Sequence, residues 1–152
     1  MKTWMMFVLL TVLCWGAYVP IIRHGQFSFG DRPGPLRAFL FVGVAYFLVS
    51  LVVLAYAWFG RAESLKLTGA GVSLSTVAGV LGALGALGIV FAMKNGGHHI
   101  VVAPLVFAGA PVVNTFVSMV WDKPSKAPSV WFFMGILMAG VGAALVLRFK
   151  PE

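Results

Sequence analysis

The residues of this chain whose types could do chemistry are uncharged polar and aromatic side chains at helical spacing. Within one apolar stretch, Phe107, Pro111, Asn114 and Ser118 follow one another at intervals of four, three and four residues. Such intervals place side chains on one face of a helix. This face predicts a wall of a cavity that binds a neutral or amphipathic solute by stacking and hydrogen bonding. For Asn114, a hydrogen bond between membrane helices is the equal alternative.

Two earlier apolar stretches carry comparable faces. Thr11, Trp15 and Tyr18 recur at helical spacing in the first, and Tyr46 and Ser50 do so in the second. If the three faces converge, they line one path. The predicted substrate-path residues are Trp15, Tyr18, Tyr46, Ser50, Pro111, Asn114 and Ser118.

Ionisable chemistry is sparse. The four acidic residues all lie outside the apolar stretches, which argues against a pump or antiporter that needs a buried carboxylate; they are Asp31, Glu63, Asp122 and Glu152. His98 and His99 are adjacent, so their side chains point about 100° apart on a helix and do not easily share one metal. No nucleophile motif, paired carboxylates or phosphate-binding loop is present. We therefore predict no enzyme activity, no catalytic residue, no metal and no cofactor.

The elements that must position these residues are membrane helices. Of the 152 residues, 61% are apolar and 10% are charged, whereas a soluble domain has about a quarter charged. Apolar runs of spanning length recur along the chain. The sequence predicts an all-α integral membrane protein of the cell (inner) membrane, a single domain over 1–152, with five transmembrane helices at about 4–22, 38–59, 72–93, 100–121 and 130–147.

Small residues recur within two of these helices. Ala78, Gly82 and Ala86 form a stripe at intervals of four, and Gly135 with Ala139 repeats the spacing. Small residues at this spacing let membrane helices approach closely. We predict that these five residues pack helix against helix.

The basic residues stand mostly at the ends of the apolar runs, where they contact lipid headgroups and not nucleic acid. With five spans, one side of the membrane receives five of them and the other side six, so the charges select neither orientation. The first group is Lys2, Arg61, Lys66, Lys123 and Lys126, and the second is Arg23, Arg32, Arg37, Lys94, Arg148 and Lys150.

Short motifs over nearly the whole chain resemble the drug/metabolite transporter superfamily, in its EamA-like group. They are Leu13-Cys14-Trp15-Gly16, Arg37-Ala38-Phe39, Gly109-Ala110-Pro111-Val112-Val113 and Gly135 with Gly140-Val141. The resemblance implies one half of an inverted-repeat transporter, completed by a second copy or a homologous half-size partner. The near-balanced charges permit an antiparallel homodimer. Where the family often has a glutamate after the fourth helix, this chain has Trp121-Asp122-Lys123. Its first helix also lacks the glutamate that small multidrug members use for proton coupling, which argues against drug/proton antiport.

The function predicted on these grounds is a half-size transporter subunit that moves a small metabolite or an amphipathic solute as a dimer. Two alternatives stay open. One is a flippase for a lipid or lipid carrier, indicated by the basic helix ends and the lack of coupling acids. The other is a non-transporting accessory subunit that packs into a larger membrane complex through its glycine-rich faces.

Overall fold

A computed structural model describes residues 2–30, 32–60, 66–121 and 127–150. These ranges form five α-helices and contain no strand. Each helix is long and apolar enough to cross a membrane, so the prediction of a multi-pass, all-helical membrane protein is confirmed. The helices are α1 (Thr3–Phe27), α2 (Pro35–Gly60), α3 (Gly69–Lys94), α4 (His99–Trp121) and α5 (Val130–Arg148). All four acidic residues lie outside the described ranges.

The first two helices extend toward each other beyond their predicted ends. α1 continues to Phe27 and α2 begins at Pro35, which suits a proline because the first helical turn needs no bonded N–H. The connection is therefore a short turn. Gly30 takes a φ of 101° there, a conformation that side chains disfavour. The N–H of Gly34 then donates to the carbonyl of Gln26 at 2.7 Å and closes the hairpin.

Hydrogen-bonding side chains lie at three other helix ends, the start and end of α3 and the start of α5. The Thr68 hydroxyl accepts from the N–H of Gly71 and caps α3, and the Ser129 hydroxyl accepts from Phe132 and caps α5. Each cap satisfies an N–H that the first turn leaves free. At the end of α3, the Asn95 side chain donates to the Phe91 carbonyl at 2.8 Å.

Prolines lie inside two helices without ending them. Pro20 is within α1, and Pro104 and Pro111 are within α4. A proline has no N–H to donate to the carbonyl four residues before it. Hydrocarbon offers no replacement donor, so these positions favour contact with protein or water.

The helices form two compact units, Met1–Asn95 and Gly96–Glu152, and each is described by itself. In the first unit, α1, α2 and α3 pack against one another. Their buried residues gather at one end, which joins the last part of α1 and of α3 to the start of α2. Apart from Ala57, these buried apolar residues are Val19, Ile22, Ala38, Ala86, Ile89, Val90 and Met93.

In the second unit, α4 and α5 pack against each other. The half-buried residues of α5 are Ile136, Ala139, Ala143 and Val146, at intervals of three, four and three. This spacing is that of one helix face in contact with a neighbour. On α4, Asn114 is exposed.

Candidate functional site

A cleft of about 330 Å³ lies between α2 and α3 in the first unit. This volume is at the lower end of the range for small-molecule sites. Its walls are apolar except for the Tyr46 side chain, and the lining residues are Phe39, Val42, Gly43, Tyr46, Gly79, Gly82, Ala83 and Ala86.

The cleft exists because its walls are made of small residues. A Cβ added at Gly43, Gly79 or Gly82 would meet no atom within 4 Å, so the space beside these positions is open. At the loop end of the unit, the larger Ile89 and Val90 are buried and fill the space between helices. The helices α2 and α3 thus pack closely at the loop end and leave a gap nearer the middle of each helix.

Two predicted path residues of α1, Trp15 and Tyr18, do not line this cleft. The rings of Trp15 and Tyr18 have centroids 5.8 Å apart. The Tyr18 hydroxyl is buried and has no hydrogen-bond partner among the described residues. The phenol group of Tyr46 lies close enough to that of Tyr18 to interact with it electrostatically. Trp15 and Tyr18 thus lie next to each other on α1, and Tyr18 interacts with Tyr46 of α2. Their common role in a substrate path stays a prediction.

Ser50 contributes less to this group. Its hydroxyl donates to the Phe47 carbonyl at 2.7 Å, within its own helix, and Ser50 does not line the cleft. Pro111, Asn114 and Ser118 are exposed on α4 in the second unit. No described residue bonds to the Asn114 amide. Their place on a common path with the first-unit residues stays a prediction.

The predicted packing residues occupy different surroundings. Gly82 and Ala86 line the cleft, while Ala78 is exposed on the same helix. Gly135 is open, since an added Cβ would meet nothing within 4 Å, and Ala139 lies on the half-buried face of α5. The open positions are available to another helix, and the packing roles stay predictions.

Gln26 is a buried polar residue that the sequence analysis did not single out. Its side chain is 2% exposed, and its Nε2 donates to no described residue. It lies on the same face of α1 as Val19 and Ile22, which are also buried. Its position just beyond the apolar run predicted a loop. If α1 is continued past Ile22, Gln26 falls on the face of Val19 and Ile22, four residues after the latter. This spacing is the signal that could have identified it.

A basic side chain closes the turn that follows Gln26. The Arg37 guanidinium donates to the carbonyls of Phe29 at 3.1 Å and Arg32 at 3.3 Å. It also lies over the Phe29 ring, 5.1 Å from the ring centre, and that ring stacks on Phe41 at 5.9 Å. We call this arrangement of Arg37 on the 29–34 turn the Arg37 clasp.

The same end of the first unit is positively charged. Arg23 lies one turn before Gln26 with its guanidinium over the Phe27 ring at 5.0 Å. Lys94 ends α3, directly after the buried Met93. The only acidic residue that the sequence places in the 28–34 turn is Asp31, which lies outside the described ranges. Cations therefore predominate where the three helices converge.

The two adjacent histidines at the start of α4 lie close together. The His98 and His99 rings have centroids 4.4 Å apart. No group of three or more His, Cys, Asp or Glu side chains that could hold a metal ion occurs in residues 2–30, 32–60, 66–121 and 127–150.

The first unit thus contains an apolar cleft with Tyr46 near the middle of α2, and a buried amide, that of Gln26, at its basic end. Comparisons with protein-family models, with curated proteins and with solved structures found no match for this chain.

Proposed function

We propose that this chain is a half-size transporter subunit of the drug/metabolite transporter type, which moves a small metabolite or an amphipathic solute as a dimer. The observation that carries the proposal is the cleft between α2 and α3, with Tyr46 on its wall and the buried Tyr18 hydroxyl close enough to interact with Tyr46 electrostatically. An apolar pocket with a few convergent polar groups is the usual form of a small-molecule site.

A second copy completes the subunit in this proposal. Asn114 exposes an amide within α4, a helix suited to crossing the membrane. Hydrocarbon satisfies neither the donors nor the acceptor of an amide. The same amide on a second copy offers both, so a pair of Asn114 side chains is self-complementary. Either a parallel or an antiparallel pair can place these residues together.

Transport is tested by filling the cleft. Purified protein is reconstituted into liposomes, and uptake of radiolabelled indole acetate and tryptamine is measured as examples of an aromatic anion and an aromatic cation. Gly82→Leu places a large side chain in the cleft. Gly88→Leu makes the same change six residues along α3 and about 120° around the helix from Gly82, at a position that does not line the cleft and where an added Cβ also meets nothing.

We expect uptake above that of empty liposomes for at least one probe, abolished by Gly82→Leu and retained by Gly88→Leu. Equal effects of the two substitutions contradict the role of the cleft. If neither probe enters while a labelled phospholipid is scrambled between leaflets, the flippase alternative replaces the proposal. If neither process occurs and a stoichiometric partner copurifies, the accessory-subunit alternative does.

A further inference from the structure

We propose that the first unit binds a single-chain amphiphile with a phosphate-like anionic head, the head at Gln26 beneath the Arg37 clasp and the chain in the cleft between α2 and α3. This inference rests on the proposed function and names the ligand class of the same site.

The first observation is the state of Gln26. Its side chain is almost completely buried, yet its Nε2 has no acceptor among the described residues. An unpaired buried polar group is costly, and natural proteins rarely keep one without a ligand, an ion or a water to satisfy it. The three surrounding helices supply apolar residues at this level, among them Ile22, Ala38 and Met93.

The second observation is charge. Arg23 and Arg37 flank Gln26 along the chain, and Lys94 ends the third helix of the same unit. A guanidinium has five N–H donors, and Arg37 uses two of its nitrogens on the turn carbonyls. Donors therefore remain to bind an anion. A phosphate-like head offers only acceptors when fully ionised, which matches a set of donors and cations.

The third observation is the position of the cleft. It begins at Phe39, two residues after Arg37, and runs to Tyr46. At about 1.5 Å per residue, the seven residues from Phe39 to Tyr46 span roughly 10 Å along the helix. A head at the Arg37 level is thus two residues along α2 from the nearer end of an apolar cleft. A free anion would use only the donors and cations near Gln26, and an uncharged hydrocarbon chain would use only the apolar cleft.

Binding is measured through Trp15, whose ring lies 5.8 Å from that of Tyr18, the residue that interacts with Tyr46 of the cleft wall. The other four tryptophans are changed to phenylalanine, so that Trp15 alone emits. The probe is dodecyl phosphate with a bromine at the chain end, because bromine quenches tryptophan emission at short range. Three comparison ligands compete with it: unbrominated dodecyl phosphate, dodecyltrimethylammonium and inorganic phosphate.

We expect saturable quenching that unbrominated dodecyl phosphate reverses. Dodecyltrimethylammonium should compete at least tenfold less well, because its head is a cation among cations. Inorganic phosphate alone should compete poorly, because it lacks the chain; effective competition by phosphate would show a free-anion site and overturn the proposal. Equal competition by the two amphiphiles would show simple partition into an apolar groove and would also overturn it.

Gln26→Leu tests the head position and should preserve the fold, since it replaces an unsatisfied buried amide with an apolar side chain of similar size. We expect about a tenfold weaker affinity for dodecyl phosphate, the effect of losing one hydrogen bond to a charged group. Gln26→Glu should weaken dodecyl phosphate further and improve dodecyltrimethylammonium. Thr76→Val is the control: it removes an exposed hydroxyl of α3 that donates to the Val72 carbonyl and does not line the cleft, and binding should be unchanged. An unchanged affinity in Gln26→Leu refutes the head position.

The same preparations separate this inference from the proposed function. Specific binding of dodecyl phosphate without uptake of any solute supports the ligand class and contradicts transport. Uptake of tryptamine with no specific quenching by the brominated phosphate supports transport and contradicts the ligand class.

Discussion

Replacing Gly34 by alanine tests the Arg37 clasp, which forms the roof of the proposed head site. A Cβ at position 34 would lie 2.7 Å from Nε of Arg37 and 3.1 Å from its Cζ. Ordinary contacts begin at 3.4 Å, so the Arg37 side chain must move by about 0.7 Å. Its bonds to the turn carbonyls are 3.1 and 3.3 Å long, and such a movement breaks the longer and weakens the shorter.

The magnitude follows from these two bonds. A hydrogen bond contributes a net 0.5–1.5 kcal/mol or so, and exposure of Arg37 places both at the low end, about 1 kcal/mol together. Gly34 does not take a left-handed φ, so alanine there otherwise stabilises by about 0.4–1 kcal/mol through the unfolded chain. With Arg37 present, these effects roughly cancel. With Arg37→Ala, only the stabilisation remains.

A double-mutant cycle measures this difference. The free energy of unfolding of the four proteins is determined in mixed micelles by denaturant titration, with helix content as the signal. We expect Gly34→Ala to stabilise the Arg37→Ala protein by about 1 kcal/mol more than it stabilises the parent protein. Gly25→Ala is the control, because its added Cβ meets no atom within 4 Å and its effect should be the same in both backgrounds. If Gly34→Ala changes the free energy of unfolding equally with and without Arg37, the clasp does not stabilise the turn.

Two further predictions concern assembly. Asn114→Leu should weaken self-association about sevenfold, from two symmetric interhelical hydrogen bonds of roughly 0.6 kcal/mol each, measured by energy transfer between labelled copies in liposomes; unchanged transfer places the dimer contact elsewhere. Reporter fusions after Glu152 should show the C-terminus on both sides of the membrane if the balanced charges produce an antiparallel pair, and on one side only if they do not.

The sequence was sufficient to predict the five helices but not their ends. Apolar length identifies a span because each must cross hydrocarbon. It marks the lipid-facing part of a helix, however, and not the helix itself. α1 therefore continues through Arg23 and Gln26 to Phe27. Polar side chains end the apolar run before that point, but the backbone hydrogen bonds of the helix continue.

The candidate site was predictable only in part. Trp15, Tyr18 and Tyr46 could be grouped because α1 and α2 form a hairpin. In a hairpin, residues that are equally far from the turn lie at the same height on the two helices. Gln26 could not be found in this way, since its burial depends on the turn folding back so that Gly34 bonds to its carbonyl. The spacing of Gln26 from Val19 and Ile22 fits one helix face, but the apolar run ends before Gln26 and so does not show that α1 continues that far.

Polar groups lie at two heights in the first unit, Gln26 at one and Tyr18 with Tyr46 at the other. This arrangement allows a separate test of how the ligand head moves. Gln26 lies eight residues beyond Tyr18 on α1, roughly 12 Å along the axis, with the buried Ile22 between them. If a head first binds at Gln26 and then moves inward, the Tyr18 and Tyr46 hydroxyls are the next partners it meets. Removing both, by Tyr18→Phe with Tyr46→Phe, should leave the affinity for dodecyl phosphate unchanged and slow uptake at least tenfold.

Affinity at the first level depends on Gln26 and the basic end. The barrier to movement depends on the groups that replace those contacts farther along the helices. A hydroxyl is one of the few groups at that depth able to bond a head without a charge of its own. Tyr56→Phe serves as the control, because Tyr56 is exposed on α2 away from the cleft. A parallel loss of affinity and uptake in the double variant would mean that the tyrosines belong to a single binding level, and the two-step path would be wrong.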